Sequence, residues 1–527
     1  MSGQVVRPDL RSRLWRRARD FVARRLLREA NRIWSDEPHE IDRAIEKVEQ
    51  AWSLTRDPEI AVQLSTMYDQ ANQNPQALVV LREAFRRNPR HALVRHHAAI
   101  TLLRHGTAAD VRDFFDSVLK VDRNDAFAQF VVSLLDGYDG WVDELVSSIR
   151  GQQDGRQPFV ISCPVWGQPF ADDFVRYSCA ALLSPNNLPK LAERCSIHIV
   201  IFTTAATESH LRADPLFARL SEYATVGFVR YSDAQVNYRQ AMEAHYGHEI
   251  VPHSDHSLAY YYERNCKFAL MSCAHYVALA AGRTTDALVS CQVADTLLND
   301  GALTFMVDRM AGGAAAVLVN CIQMDGAVLR SVLDDKFRHG DGVIQIPSES
   351  CVKILSEHLP PYNLARAGNL PQIPLRVCWR VGAHGILVHG NHYHPFCLRP
   401  KEFTHPLQLT VDPIDSRFID RSSLDMDQIH LVQDESVVGL SMEDGPLPEQ
   451  FARRAEPLSI AEAAFWLWGY WGRLRGVFYR TPLRLGRGIP REEWAQAEKK
   501  AAAVVDAIVE QASRFEERRR ARGSWRL

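Results

Sequence analysis

The sequence predicts an α/β protein in three parts: an N-terminal α-helical repeat module, a central mixed or parallel α/β domain, and a helical C-terminal segment. Three observations carry this reading. Between about 38 and 135, small and apolar residues recur with a period of 34. After residue 155, short β-branched runs alternate with helical patterns, which is the signature of a parallel sheet. From 456 onward the apolar residues return to helical spacing. The parts are expected at 1–155, 156–412 and 456–527, and the acidic, aperiodic stretch 413–455 reads as a connector.

Composition narrows the function classes. With 527 residues, 46% of them hydrophobic and 24% charged, the chain can bury several cores. Its 62 Lys+Arg against 64 Asp+Glu leave a net charge of -2, which argues against a surface built for nucleic acid. All ten cysteines fall between Cys163 and Cys397 without a CxxC pair, so reduced thiols in a cytosolic setting are expected rather than a zinc ribbon. No run reaches the roughly 18 to 20 apolar residues that span a bilayer, and no apolar leader opens the sequence. The expected location is the cytoplasm, with peripheral attachment at the inner face of the membrane as the membrane option.

Between Arg7 and Arg32, arginines interleave with Leu10, Leu14, Phe21 and Leu26 at helical spacing. This basic amphipathic helix either caps the repeats or touches a membrane. In the repeats, Asn72 and Gly106 are 34 apart, as are Leu81 and Phe115, Ala84 and Val118, Asn88 and Asp122, and Ala92 and Ala126. With small Ala77 and Ala84 at close approaches and Pro89 after the second helix, the segment resembles about three degenerate tetratricopeptide repeats. The resemblance implies a stack that folds alone over 1 to about 150 and offers a surface to a protein partner. Asn72 stands where the pattern has a turn glycine, and the Trp-Leu-Gly signature is absent.

In the central part, strands are expected at Phe159–Cys163, Ile197–Phe202, Thr225–Tyr231, Ala287–Val293 and Ala315–Asn320, and a long helix at Ser257–Ala281 that stops at Gly282. Ligands of such sheets sit beyond the carboxyl ends of the strands. Three groups of residues qualify: Pro164, Trp166 and Gly167 after the first strand, Thr203 and Thr204 after the second, and Asp295 after the fourth. Arg283 is placed either to reach a diphosphate or to cap the long helix. Asp300 is either a further carboxylate of the site or a helix cap.

The run Ala287 to Leu303, with Val293-Ala-Asp295 at a strand tip, and the opening Phe159-Val-Ile-Ser-Cys-Pro-Val-Trp-Gly167 together resemble the nucleotide-sugar half of GT-A glycosyltransferases, a Rossmann-like fold, over about 160 to 400. The resemblance implies a nucleotide-sugar donor and transfer of its sugar. It implies Asp295 as the carboxylate that meets the diphosphate or a Mn²⁺ or Mg²⁺ ion, with Asp300 beside it. Of the family's Asp-x-Asp only the second position matches, since Val293 occupies the first. Of the pair in His389-Gly-Asn-His392-Tyr-His394, which shares one side of an extended strand, His392 or His394 would be the late metal or diphosphate ligand.

Two other classes compete. In one, the α/β domain is a decayed enzyme on a repeat scaffold. In the other, His245, His248, His253 and His256 bind the metal of a hydrolase. A further segment, Phe465 to Trp471 followed by Arg473 to Arg487, is expected either to anchor to an anionic membrane or to pack as an aromatic core.

Overall fold

The computed structural model describes residues 10–36, 40–152, 154–251, 256–359, 376–390, 393–443, 458–469 and 474–521. Its N-terminal part consists of α1 (Leu10–Asp36), α2 (Ile41–Thr55), α3 (Pro58–Gln70), α4 (Asn74–Arg87), α5 (Ala92–His105), α6 (Ala108–Val121) and α7 (Ala126–Arg150). Small side chains set their spacing: Ala44, Ala51, Ala61, Ala77 and Ala84 are all fully buried. Polar caps start α3, α6 and α7. Asp57 accepts from the Glu59 N–H, Thr107 and Asp110 form a reciprocal box, and Asp125 accepts from the Ala128 N–H. Asn72 does take the place of the turn glycine, at φ +54, a left-handed conformation that asparagine tolerates better than most side chains.

The central sheet is built from β1 (Gln157–Pro164), β2 (Cys195–Thr203), β3 (Thr225–Arg230), β4 (Leu288–Cys291), β5 (Thr296–Leu298) and β6 (Ala316–Asp325). A hairpin, β7 (Arg376–Val381) and β8 (Gly385–Gly390), intervenes before β9 (Tyr393–Leu398), β10 (Ile429–Leu431), β11 (Gly439–Glu443) and β12 (Leu483–Leu485). The large sheet runs β3-β2-β1-β4-β9-β6-β11-β5, with β10 also on β6. The strands β3, β2, β1 and β4 are parallel, and β9 enters antiparallel between β4 and β6. All nine residues of β2 are buried, as a central parallel strand covered on both faces requires. A small antiparallel sheet, β12-β8-β7, stands apart.

The five strands and the long helix expected from the sequence are present, but several boundaries move. The long helix runs Leu258–Thr285, and Asp286 at φ +55 ends it. Gly282 is not the stop. It is where the helix approaches β4, since a Cβ there would sit 2.6 Å from Val289 Cγ2. The stretch 413–455 is more than a connector, because β10 and β11 are laid on β6 from within it. In the C-terminal helix Arg491–Ala521 the buried stripe includes Ala501, Val505, Ile508, Ala512 and Phe515, while Ala502 faces solvent.

Packing ties the three parts together. One core joins α5–α7 to the long helix and β1, β2 and β4, through residues such as Phe127, Val131, Leu134, Tyr262 and Leu270. A second joins α2–α4 to Trp468, Val505, Ile508 and Phe515. The repeat module therefore shares both of its cores with the rest of the chain, unlike the self-contained stack the period suggests. An isolated fragment 1–150 is accordingly expected to fold poorly.

The same packing decides the aromatic segment. Trp468 is 1% exposed, its ring meets Phe465 tilted and Phe515 edge-on, and its indole N–H donates to Glu516. Arg480 pairs with Asp506, Arg484 with Glu498, and Arg487 with Glu349 and Glu435. In its described part this is a core helix with a paired basic loop, the second of the two arrangements expected for it; Trp471, Arg473 and their neighbours lie outside the described residues. Trp468→Ala is expected to cost about 3 to 5 kcal/mol. A thermal melt that moves by less than a degree would show that the tryptophan is not packed in this way.

Candidate functional site

The chain leaves β1 for β2 and β3 on one side and returns to β4 on the other, so the topological switch point lies between β1 and β4. Crevices open at the carboxyl ends of strands there. At that edge the segment Pro164 to Gly167 follows β1. Pro164 closes the strand and is buried, while Trp166 is half-buried and its ring meets Tyr231 edge-on. Gly167 turns the chain at φ +85, ψ 140, a conformation open only to glycine, and its N–H reaches the Thr207 hydroxyl at 3.3 Å.

Beyond β2, Thr204 caps the helix Ala205–Ala213 by accepting from the Thr207 N–H at 3.1 Å. Trp166, Gly167, Gln168, Thr204, Thr207, His210, Asp233, Val236 and Asn237 line a cavity of about 410 Å³, within the size range of sites for small organic ligands. His210 is held by Asp172 at 2.7 Å. Thr203 is fully buried at the end of β2, outside this lining, with a hydroxyl that has no partner among the described residues.

On the β4 side, Gln292 continues the pairing by donating its N–H to the Ser162 carbonyl, and the chain then turns through Asp295. Two tethers fix that turn. The Asp295 carbonyl accepts from the Met442 N–H at 2.9 Å. The Ser178 hydroxyl faces the carbonyls of Ala294 and Thr296 at 2.7 and 3.0 Å. Ser178 comes from a π-helical turn, Phe174–Cys179, and turns of that kind recur at functional sites. Burial pushes the Asp295 carboxyl up to about 6, and the charges of Glu443 and Asp173 add to the rise while Lys267 opposes it.

Two other expected residues are placed differently. Asp300 follows β5, which runs back along β11 away from the carboxyl edge. Its carboxylate accepts from the Asn186 N–H at 2.9 Å, the Asn186 amide at 2.8 Å and Gln345 at 2.9 Å. It ties two loops together and is not free for chemistry. Arg283 stands at the amino end of β4, opposite Asp295, and donates to the carbonyls of Phe403 and His405, both at 2.8 Å. It therefore clamps a loop and cannot reach a ligand at the crevice.

His394 lies near the start of β9, opposite Val319, and because β9 is antiparallel this end of the strand shares an edge with Asp295. His392 lies outside the described residues. Among the described residues no group of three metal-ligating side chains includes Asp295; the only such group is Asp122, Asp125 and His245. There, however, Arg95 occupies the centre, 3.0 Å from Asp125 and 3.5 Å from Asp122, so a guanidinium already supplies the positive charge. His248 is exposed, His256 stacks on Tyr260 at 4.1 Å, and His253 lies outside the described residues. The expected histidine metal centre is not assembled by the described members.

Sequence reasoning missed Thr207, His210, Asp233 and Asn237. Ser232 and Gln235 form a capping box in the sequence Ser232-Asp-Ala-Gln235, a signal that places Asp233 at a helix start just past β3.

No protein-family profile matches this chain, and no curated protein matches it. Among solved structures, an O-GlcNAc transferase variant from Thermobaculum terrenum aligns at 10% identity with a TM-score of 0.19, covering 43% of this chain and 44% of that one. The alignment thus spans less than half of that protein's length. A likeness this slight carries no argument about chemistry.

Proposed function

We propose that this chain is a glycosyltransferase that moves a sugar from a nucleotide-sugar donor to an acceptor. The observation that carries the reading is the cavity lined by Trp166 and Thr204 past the ends of β1 and β2, on the same carboxyl edge of the parallel strands as the partly buried Asp295 after β4. In this reading the nucleoside lies against Trp166 and Thr204, and the diphosphate extends towards Asp295. A Mn²⁺ or Mg²⁺ ion held by Asp295 and His394, completed by diphosphate oxygens, would offset the charge that grows on the leaving group. Ser178 and the Met442 N–H hold the Asp295 turn in place, so the carboxylate meets the ligand without reorganising. The acceptor oxygen bonds to the anomeric carbon as the bond to the phosphate oxygen breaks; the nucleoside diphosphate leaves with that electron pair and the acceptor's proton passes to water or to the departing phosphate. The repeat module adds a surface for a protein partner.

Val293 at the first position of the metal motif favours a second reading, in which the domain binds a nucleotide but has lost catalysis. One experiment separates the two. Thermal shift with uridine and guanosine diphosphates, with and without Mn²⁺, is expected to raise the melting temperature, and release of nucleotide from the matching nucleotide-sugar is expected to follow. Stabilisation without release supports the non-catalytic reading. No shift with any nucleotide removes both.

A further inference from the structure

A second cavity adjoins the one beside Trp166. It measures about 820 Å³ and is formed by the helix Tyr238–Tyr246 and the start of the long helix Leu258–Thr285, a size that suits a small organic ligand. Val236 and Asn237 line both cavities, so the two spaces meet along that pair of residues. The long helix contributes Glu263, one turn before Lys267, whose charge reaches the Asp295 carboxyl. The larger space therefore borders the nucleoside cavity directly and lies one helical turn from the surroundings of Asp295.

Its lining has a definite chemistry. The charged side chains are Arg239, Glu243 and Glu263. Arg239 pairs with Glu263 at 3.2 Å, while Glu243 forms no ion pair among the described residues. A net negative charge remains. Burial, and then the charge of Glu243, push the Glu263 carboxyl above its usual range against the opposing pull of Arg239. The side-chain amides of Asn237 and Gln240 have no hydrogen-bond partner among the described residues.

We infer that this space binds an uncharged saccharide, which is the acceptor of the proposed transfer. The acceptor role rests on the donor reading given above, while the saccharide class rests on the lining. A hydroxyl donates one hydrogen bond and accepts others, so neighbouring hydroxyls can satisfy both Glu243, which only accepts, and the two amides, which do both. A phosphorylated lipid or an acidic glycan would bring its charge against Glu243 with no cation left to meet it. The side chains of a basic peptide only donate, and would offer nothing to the amide N–H groups.

Saturation-transfer NMR of the full chain tests it, with maltotriose, mannotriose and galactotriose as neutral probes and hyaluronan tetrasaccharide and tetralysine as charged ones. Binding is expected for at least one neutral trisaccharide and for neither charged probe. Glu243→Ala with Gln240→Ala removes a charged and a neutral hydrogen bond, and should weaken the trisaccharide roughly tenfold or more. Both side chains are exposed, so the variant is expected to melt like the parent and to keep its thermal shift with a nucleoside diphosphate. The inference is overturned if no trisaccharide binds, if the variant binds it as well as the parent, or if a charged probe is preferred. A parent that binds a trisaccharide but responds to no nucleoside diphosphate would overturn the donor reading and uphold the saccharide site. One that responds to the nucleotide but to no trisaccharide would overturn this inference alone.

Discussion

Replacing Asp295 by asparagine is expected to stabilise the free protein at neutral pH and to remove its response to a nucleoside diphosphate. Both effects have the same origin. The folded carboxyl titrates near 6 against an ordinary 3.8, so between those values the folded chain keeps a proton that the unfolded chain has released. The stability this represents is complete below about pH 4 and is lost as pH rises through 6. At pH 7.5 the folded state therefore holds an ionised carboxylate at a cost of ~2 kcal/mol, allowing for partial exposure. The neutral amide removes that cost, so the variant should gain at pH 7.5 and match the parent near pH 4. The parent should gain about 2.7 kcal/mol from a ligand at a hundred times its dissociation constant, and the variant little. Calorimetry at the two pH values with and without nucleotide reads all four quantities. A variant that responds to nucleotide as the parent does would take Asp295 out of the binding site.

A loss of stability as large as that of Trp468→Ala is expected from Arg95→Ala. Arg95 is 7% exposed and Asp125 2%. The guanidinium holds Asp125 and Asp122 together while the Tyr246 hydroxyl and the Ala128 N–H donate to Asp125 at 2.7 and 2.9 Å. Deleting the cation strands a buried carboxylate, at a cost of roughly 3 to 5 kcal/mol. Arg95→Met combined with Asp125→Asn should recover part of it, because charge and counter-charge leave together. Denaturant midpoints of both variants measure the coupling. A loss below ~1 kcal/mol for Arg95→Ala would mean that water already reaches the cluster.

The parts of the fold legible in the sequence were those with a strong local period. β1, β2 and β6 are apolar runs buried on both faces, and the long helix carries an unbroken alanine and cysteine stripe. β10, β11 and β12 were not legible, since three to five residues such as Ile429–Leu431 carry no period and gain their place only by pairing with β5, β6 and β8. For the site, Trp166, Gly167, Thr204 and Asp295 follow from the rule that strand ends carry function. His210, Asp233 and Asn237 do not, because a parallel sheet gathers residues some 70 positions apart that share no motif. Arg283 was misplaced for a directional reason: a helix that feeds a strand leaves its last turn at the amino end of that strand, away from the ligand.

The core shared by the first repeats and the last helix also has a consequence in time. Translation at about 5–20 residues per second separates the completion of α2–α4 from that of Arg491–Ala521 by roughly 20 to 90 s. Through that interval the surface that will receive Trp468, Val505, Ile508 and Phe515 stands open to water. The earliest-made helices are thus the last to be sealed. Nascent chains stalled before 491 should bind general chaperones through the repeat module, and completed chains should release them.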